Sequence, residues 1–194
     1  MSHESAAQIN LGLVLLHYPV YNKHRELVTT AVTNLDIHDI ARAARTYGLS
    51  RYYLVTPSTG QQEMISRIVG HWKHGWGAEY NPDRGEALEI IRIESTLNDA
   101  FNDFQTGFSS PVIKVATGAR PRKGDTSFEK LKNSLQKPEN PHLIIMGTGW
   151  GLADEVFEQA ELTLEPIRAA GDYNHLSVRS ATAIILDRLL GERN

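Results

Sequence analysis

Short apolar runs alternate along the chain with longer segments of helical periodicity. The apolar runs predict strands at Leu11–Leu16, Arg51–Val55, Ile90–Ile93, Val112–Ala116 and Leu143–Met146, with a short one near Leu162–Leu164. The amphipathic segments predict helices at Asp36–Tyr47, Gln61–Lys73, Ser95–Gln105, Thr126–Gln136, Ala153–Gln159 and Ser177–Leu190. Apolar strands separated by amphipathic helices are typical of an α/β fold, with a mainly parallel sheet and helices on both faces. With no internal repeat or convincing linker, we expect a single domain over residues 1–194.

The predicted C-terminal helix is apolar on more than one side. Ser177 is placed to cap it, because a serine hydroxyl accepts a hydrogen bond from a backbone N–H of the first turn. The apolar positions are Val178, Ala181, Thr182, Ile185 and Leu189 at helical spacing, widened by Ile184, Leu186 and Leu190. Such a helix is deeply buried or lies in a subunit interface. We expect part of it to meet a second subunit in a symmetric homodimer.

Two glycine-containing segments follow predicted strands near the C-terminus. The first comes directly after Leu143–Met146 and reads Gly147-Thr148-Gly149-Trp150-Gly151. A buried strand that ends in a glycine-rich turn is where α/β proteins bind ligands, and glycines let backbone amides approach a ligand closely. The second segment is the bend from Glu165 to Ser177, which is rich in polar and turn-forming residues. Binding sites favour such loops, although a capped apolar helix behind a bend is also typical of core packing alone.

In this order the two segments resemble motifs of the SPOUT superfamily of S-adenosylmethionine-dependent RNA methyltransferases. The matching pieces are Gly147–Leu152, Leu164-Glu165-Pro166-Ile167 and His175-Leu176-Ser177-Val178. A further piece, TNLDIHDIARAARTYGLSRYYLVTP, is similar to the first motif of the ribose-methylating branch, where an Arg stands six residues before a Gly. Counting back from Gly48 places that Arg at Arg42, while His38 stands where the motif has a small glycine. The resemblance covers nearly the whole chain and is closest to a small bacterial branch of single-domain members.

The resemblance implies a C-terminal trefoil knot, S-adenosylmethionine as cofactor, and tRNA or rRNA methylated on a ribose 2'-hydroxyl or a base nitrogen. Periodicity alone reveals no knot. In the family the knot presents three loops to the cofactor, which here are the loop beginning at Thr117, the Gly147–Leu152 turn and the Glu165–Ser177 bend. The cofactor-binding residues implied are Thr117, Gly118, Met146, Gly147, Thr148, Gly149, Leu164, Pro166, Ile167, Asn174, His175, Leu176 and Ser177.

Two residues are candidates for the chemistry. Methyl transfer requires the acceptor, the methyl carbon and the sulfur in line, and the acceptor must lose a proton. Arg42 suits stabilisation of an alkoxide or orientation of a phosphate, because a guanidinium stays protonated. Asp172 is the better candidate base if a ring nitrogen is the acceptor. The alternative for Arg42 is a surface ion pair with Asp39, and Asn34 or Asp36 is expected to cap its helix.

The formal net charge of −3 argues against a protein whose whole surface is basic and binds nucleic acid. The basic residues are, however, distributed unevenly along the chain. The candidate RNA-binding residues are Lys23, Arg25, Arg45, Arg120, Arg122 and Lys123. If the loops that carry most of them reach the same sheet edge, they form a local phosphate-binding patch. The alternative is that these side chains are simply solvated.

Composition excludes several classes of protein and site. With zero cysteines, the chain has no disulfide, thiolate nucleophile or cysteine zinc site. His71 and His74 have a metal-compatible spacing, but no third ligand is nearby and no metal site is expected. Because no apolar run approaches the roughly 20 residues that span a bilayer, and the first residues lack a basic region, we expect a cytoplasmic protein without membrane contact.

Other interpretations fit part of the pattern. A nicotinamide dehydrogenase would explain the glycine turn, but Gly151 stands one residue too early for the dinucleotide fingerprint. A non-catalytic RNA- or cofactor-binding module with the same fold stays open, and a methyl-transfer assay distinguishes it. The aromatic-rich segment 71–88 has no firm assignment as a whole, and it is either a platform for unpaired bases or an anchor for a long loop or a dimer contact. The sequence does not specify which RNA or which atom is methylated.

Overall fold

The computed structural model describes residues 10–137, 139–171 and 173–192. The strands are β1 (Leu11–Leu16), β2 (Val20–Tyr21), β3 (Leu27–Val28), β4 (Arg51–Val55), β5 (Ile91–Glu94), β6 (Ile113–Ala116), β7 (His142–Gly147) and β8 (Leu162–Thr163). The helices are α1 (Asn34–Thr46), α2 (Thr59–His74), α3 (Trp76–Tyr80), α4 (Pro82–Leu88), α5 (Leu97–Gln105), α6 (Phe128–Leu135), α7 (Asp154–Glu158) and α8 (Val178–Leu190). Every predicted strand and helix is present, with its ends within two residues of those expected.

Six strands form one sheet in the order β5-β4-β1-β7-β6-β8, and every neighbouring pair is parallel. The chain passes from β1 to β4 and β5 on one side of the sheet and then crosses to β6, β7 and β8 on the other. Ligands of open α/β sheets bind at the carboxyl ends of the strands where the order reverses, which is here beside β1 and β7. The mainly parallel α/β class is confirmed, while the trefoil knot stays a prediction.

Alternate residues of β1 contribute to two separate cores. Leu13 and Leu15 belong to the core that α1, α2, α6 and α8 cover, whereas Val14 and Leu16 belong to the core under α5 and α7. Both faces of the strand are therefore buried, which explains why it reads as a continuous apolar run. A Cβ added at Gly12 would lie 2.8 Å from the ring of Phe104, so this glycine lets α5 approach β1 closely.

The helix that carries Arg42 begins with a capping box, and the cap differs from the one expected. Thr33, not Asn34 or Asp36, is the N-cap, and its hydroxyl accepts a hydrogen bond from the Asp36 N–H at 3.2 Å. The Asp36 carboxylate in turn accepts from the backbone N–H and the hydroxyl of Thr33. The first turn therefore fixes Asp36 in place as well as satisfying backbone donors.

The C-terminal helix α8 begins as expected but is buried on one face only. Ser177 caps it by accepting a hydrogen bond from the Ser180 N–H at 3.2 Å. The buried residues of α8 are Thr182, Ile185, Leu186 and Leu189. Ala183 is exposed and Ile184 is partly exposed, so an apolar strip faces away from the chain's own core.

Segment 71–88, which the sequence left without a firm assignment, is largely helical. It holds the end of α2 together with α3 and α4. Trp72 packs against the core beneath the Arg84 guanidinium, which lies 4.4 Å from the centre of the ring. Trp76 and Tyr80 stack on each other at 4.9 Å and are exposed. The hairpin of β2 and β3 was not predicted either, because strands of two residues carry no periodicity.

Across the described ranges, no helix is long and apolar enough to cross a membrane. Those same ranges contain no group of three or more His, Asp or Glu side chains that could hold a metal ion.

Candidate functional site

A cavity of about 740 Å³ opens at the carboxyl ends of β6 and β7. This volume lies within the range of small-molecule sites. Three of its walls are the loop that begins at Thr117, the glycine turn after β7 and the Glu165–Ser177 bend. The fourth wall comes from the β2–β3 hairpin, the segment after it and the first turn of α1. The fold therefore brings the three loops predicted from sequence into one cavity.

The glycine turn needs its glycines for two different reasons. Gly149 has φ +59°, and a Cβ added there would lie 2.9 Å from the Tyr21 carbonyl oxygen. A Cβ on Gly147 would lie 2.8 Å from the backbone nitrogen of Leu152. Tyr21 also clamps the turn, since its carbonyl accepts from the Trp150 N–H at 2.8 Å. The backbone thus takes a path that other residues would block.

Thr148 fixes the same turn to the end of β1. Its hydroxyl donates to the Leu16 carbonyl at 3.1 Å and contacts the hydroxyl of Thr30. The Thr30 hydroxyl lies 3.0 Å from Nδ1 of His17. Burial lowers the pKa of His17 to about 4, so this ring is neutral at neutral pH. The turn therefore rests on an uncharged, hydrogen-bonded support.

The bend supplies free backbone groups to the cavity. Asn174 ties it to the loop after β6, since its Nδ2 donates to the Ala119 carbonyl at 3.0 Å. Within the described residues, the backbone groups of Ile167 and Leu176 make no hydrogen bond to the rest of the chain. Such amides and carbonyls are suited to the polar edge of an adenine, and the nearby Met146 and Ile167 side chains are suited to its faces. The residues present thus fit a nucleoside cofactor.

Most of the predicted cofactor-binding residues line this cavity. They are Thr117, Gly118, Met146, Gly147, Thr148, Gly149, Ile167, Asn174, His175, Leu176 and Ser177. Leu164 and Pro166 are buried and are not among the lining residues. The Leu164 N–H donates to the Ala116 carbonyl at 2.9 Å, so this part of the bend supports the cavity instead.

Two arginines from different loops meet at the mouth of the cavity. Asp154, at the start of α7, accepts from Arg122 at 2.7 Å and from Arg25 at 2.9 Å. The Arg122 guanidinium lies 3.6 Å from the centre of the Phe157 ring, and Arg25 lies 4.4 Å from that of Tyr21. The hydrogen bond from Arg122 is the main cause of the lowered pKa of Asp154. We call Arg25, Arg122 and Asp154 the mouth cluster, which carries two positive charges and one negative.

The other predicted RNA-binding residues are dispersed. Arg120 lines the cavity, and Lys123 lines an adjoining cleft with Asp154. Lys23 is exposed in the hairpin and lines neither. Arg45 lies on α1 and forms an exposed ion pair with Glu86 at 2.6 Å. The two predicted basic loops therefore reach the same edge of the sheet, and Arg45 is not among the cavity-lining residues.

Arg42, one of the two predicted catalytic residues, does not line the cavity. Arg42 is exposed on α1 and is not among the lining residues. Its guanidinium makes no hydrogen bond or ion pair with the described part of the chain. The alternative of an Arg42–Asp39 ion pair is wrong, because Asp39 pairs with Arg179 at 3.5 Å. Asp172 lies outside the described residues.

Asp36 and Arg179 line the cavity, and sequence reasoning missed both as site residues. Arg179 in the first turn of α8 donates from Nη1 to Oδ1 of Asp36 at 3.0 Å. Arg179 could have been identified as a candidate from the sequence, because it is the one charged residue between Val178 and Leu186 in a mostly apolar helix. Its partner could not be read from the sequence, since the two residues are 143 positions apart.

Sequence comparison finds relatives over nearly the whole chain. A family profile described as "SAM-dependent RNA methyltransferase" matches residues 10–191. A tRNA (guanine-N(1)-)-methyltransferase of Oleidesulfovibrio alaskensis is 45% identical over 94% of this chain, which spans 42% of that relative's length. An uncharacterized protein of Aquifex aeolicus is 39% identical, with 93% of this chain and 88% of that protein covered.

Comparison of structures gives the same fold. The SpoU methyltransferase AviRb from Streptomyces viridochromogenes, solved in complex with AdoMet, has a TM-score of 0.60 and 14% sequence identity to this chain. The match covers 96% of this chain and 58% of that one, and at this identity it concerns the fold alone. Together with the match over residues 10–191, these findings confirm the SPOUT resemblance: the chain belongs to the family of S-adenosylmethionine-dependent RNA methyltransferases.

Proposed function

We propose that this protein transfers the methyl group of S-adenosylmethionine to tRNA. One observation carries the proposal: the three loops of the predicted cofactor site converge on a single cavity in a chain of this family. The cofactor, when bound, supplies an electrophilic methyl carbon with a neutral leaving group. The contribution of the protein is to hold the acceptor in line with that carbon, which can supply several kcal/mol through positioning.

The choice of tRNA rests on the printed name of the relative from Oleidesulfovibrio alaskensis. That relative is more than twice as long as the matched segment, so the guanine N1 in its name can belong to either part of it. Both acceptors considered from the sequence, a ribose 2'-hydroxyl and a base nitrogen, lose a proton on methylation. The cavity serves either one with the same cofactor loops.

We infer that Arg42 keeps the role that the family motif implies for it, and that Asp172 keeps the role that the chemistry of a ring-nitrogen acceptor gives it. The free guanidinium of Arg42 on the exposed flank of α1 is available to orient an RNA phosphate or to stabilise an alkoxide. Asp172 falls within residues 165–177 of the sequence and is the candidate base for a ring nitrogen.

The test is a transfer assay with the purified protein, S-adenosylmethionine labelled in its methyl group, and tRNA from a strain that lacks the gene. We expect label to enter the tRNA and to migrate as one modified nucleoside in mass spectrometry. That nucleoside identifies the acceptor atom. Binding of the cofactor without any transfer to tRNA or rRNA would favour the alternative, a non-catalytic module with the same fold.

We infer that the mouth cluster binds RNA phosphates. Arg25 and Arg122 approach one carboxylate from two loops, and an incoming phosphate offers them a second anion of the geometry that guanidinium groups prefer. Asp154 holds both side chains at the mouth in the absence of RNA, so less side-chain freedom is lost on binding. Lys123 and Arg120 extend the positive surface on the same loop.

Replacing Arg122 or Arg25 by Ala should weaken tRNA binding and lower its salt dependence. Each phosphate contact that is lost should make the slope of log K against log salt shallower by about one unit. The measurement is a filter-binding titration at several salt concentrations. Arg67→Ala, which removes an exposed charge on α2, serves as the control and should leave the slope unchanged. Equal slopes for wild type and both mouth variants would exclude this surface from RNA binding.

We also infer a cytoplasmic homodimer, in which the free strip of α8 meets its copy. Ala183 and Ile184 lie on this strip, where the chain's own core does not cover them. The wild type should sediment as a dimer at micromolar concentration, and Ile184→Glu should sediment as a monomer because it buries a charge in the interface. Ser66→Glu on the exposed side of α2 should stay dimeric. A monomeric wild type would refute the assembly.

A further inference from the structure

The ion pair of Arg179 with Asp36 stands at the cavity wall formed by α1 and α8. The Asp36 side chain is only 6% exposed, and it accepts from Arg179 through Oδ1 while Oδ2 is used by the capping box. Nε of Arg179 lies 3.5 Å from Oδ2 of Asp39. Two carboxylates on one helix therefore hold a guanidinium that belongs to another helix.

This arrangement fixes the direction of the guanidinium and leaves part of it free. Nη2 of Arg179 has no hydrogen-bond partner among the described residues. The side chain is 29% exposed, and Arg179 lines the cavity beside Ser177 and Val178. A guanidinium whose orientation is set in advance loses little freedom when it binds an oxygen.

We propose that Arg179 contacts the acceptor nucleotide and stabilises the negative charge that develops on it, with Asp36 as its positioning residue. The inference rests on the proposed methyl transfer. In that step the acceptor forms a bond to the methyl carbon, the carbon–sulfur bond breaks, and its electron pair stays on sulfur. The acceptor's proton passes to a general base and from it to water. Loss of this proton makes a ribose 2'-oxygen or a guanine ring anionic, and an oriented cation stabilises either anion.

A role at the acceptor is favoured over a role at the cofactor. The sulfonium of S-adenosylmethionine is itself positive, and a cation held near it would oppose binding. A guanidinium that instead held the carboxylate of the cofactor would lower cofactor affinity when removed, and the test below measures that affinity. The mouth cluster already supplies two guanidiniums to the other side of the same cavity. Negative charge increases only on the acceptor during the reaction, so a cation there stabilises the transition state more than the ground state.

The test compares wild type, Arg179→Ala and Arg179→Lys at saturating tRNA and saturating S-adenosylmethionine. We expect kcat to fall about 100-fold in Arg179→Ala, with the Kd of S-adenosylmethionine unchanged. Added guanidinium ion should restore part of the lost rate in Arg179→Ala, which a merely structural role would not permit. Arg179→Lys should recover little, because a lysine does not reproduce the planar fork. Arg188→Ala, in the same helix but outside the cavity, is the matched control and should keep the wild-type rate.

Asp36 is buried, so its loss of a partner in Arg179→Ala can unfold the protein. The double variant Asp36→Asn/Arg179→Gln keeps a neutral hydrogen-bonded pair and should fold, bind the cofactor and show the same loss in kcat. An active wild type with an equally active Arg179→Ala protein would overturn this inference alone. Loss of cofactor affinity in parallel with kcat would also overturn it, since Arg179 would then serve the cofactor. A wild type without any methyl transfer would overturn the proposed function and this inference with it.

Discussion

A Gly149→Val protein is expected to lose binding of S-adenosylmethionine and all methyl transfer. Gly149 has φ +59°, and β-branched residues are strongly disfavoured in this left-handed region. The new Cβ would also lie 2.9 Å from the Tyr21 carbonyl, a backbone atom held in the β2–β3 hairpin. The turn must therefore move, and it forms one wall of the cavity. We expect affinity to fall by at least about 100-fold, which corresponds to some 2.7 kcal/mol. Isothermal titration calorimetry with S-adenosylmethionine measures this affinity.

Gly60→Ala is the matched control for that experiment. It also adds a methyl group at a glycine, but nothing lies within 4 Å of the new atom on α2. This variant should bind the cofactor as the wild type does, and its helix should gain slightly in stability. Circular dichroism of the Gly149→Val protein should show the α/β spectrum of the wild type. A folded Gly149→Val protein with full affinity would remove the glycine turn from the cofactor site.

An Arg42→Ala protein is expected to lose methyl transfer far more than cofactor affinity. If Arg42 orients the reacting nucleotide, its removal misplaces the acceptor, and a small misplacement costs about 100-fold in rate. Arg42→Lys should not rescue the rate, because a point charge cannot reproduce a planar fork of donors. The measurement is the turnover rate at saturating tRNA, together with the Kd of S-adenosylmethionine by calorimetry.

The position of Arg42 restricts how it can act in the reaction. The residue is exposed and lies outside the group that lines the cavity, so it must act on RNA that extends beyond the cavity. Arg67→Ala, which removes a guanidinium on α2 whose side chain is 82% exposed, should leave turnover unchanged. If Arg42→Ala raises KM for tRNA but keeps kcat, Arg42 binds RNA without a part in the chemistry. The groups to examine next are then Asp172, Asn174 and His175.

The secondary structure was predictable because its signal is local. Strands β1, β4 and β7 are buried on both faces, so each is an almost wholly apolar run in the sequence. The polar loops of the chain do not show this pattern. The secondary structure of segment 71–88 was harder to predict, since α3 has five residues and α4 has seven. Helices of that length show too few turns for a periodic pattern, and tertiary packing decides their conformation. The N-cap at Thr33 was also missed, although the capping box T-x-x-D is visible in the sequence.

The candidate site was predictable where loops follow strands. Parallel strands end at the same edge of a sheet, so the loop after β6 and the turn after β7 had to lie near each other. The composition of the bend before α8 indicated a binding loop, its role toward a cofactor came from family resemblance, and the structure brings it to the same cavity. No pattern in the sequence indicated that Tyr21 clamps the glycine turn, because β2 and β3 have two residues each.

The sequence by itself determined the parallel sheet, the helices that cover it and the glycine turn at its edge, because burial and glycine placement act within a few neighbouring residues. Only the tertiary structure decided which charged groups meet. Arg25 and Asp154 are 129 positions apart, and Asp36 and Arg179 are 143 apart. Each side chain has several possible partners of opposite charge at such distances, and nothing local in the sequence selects one of them. The exposed Arg25–Asp154 pair is in addition worth too little to leave a pattern in the sequence. The packing of α8 against α1, driven by apolar burial, is what brings Arg179 to the carboxylate of Asp36.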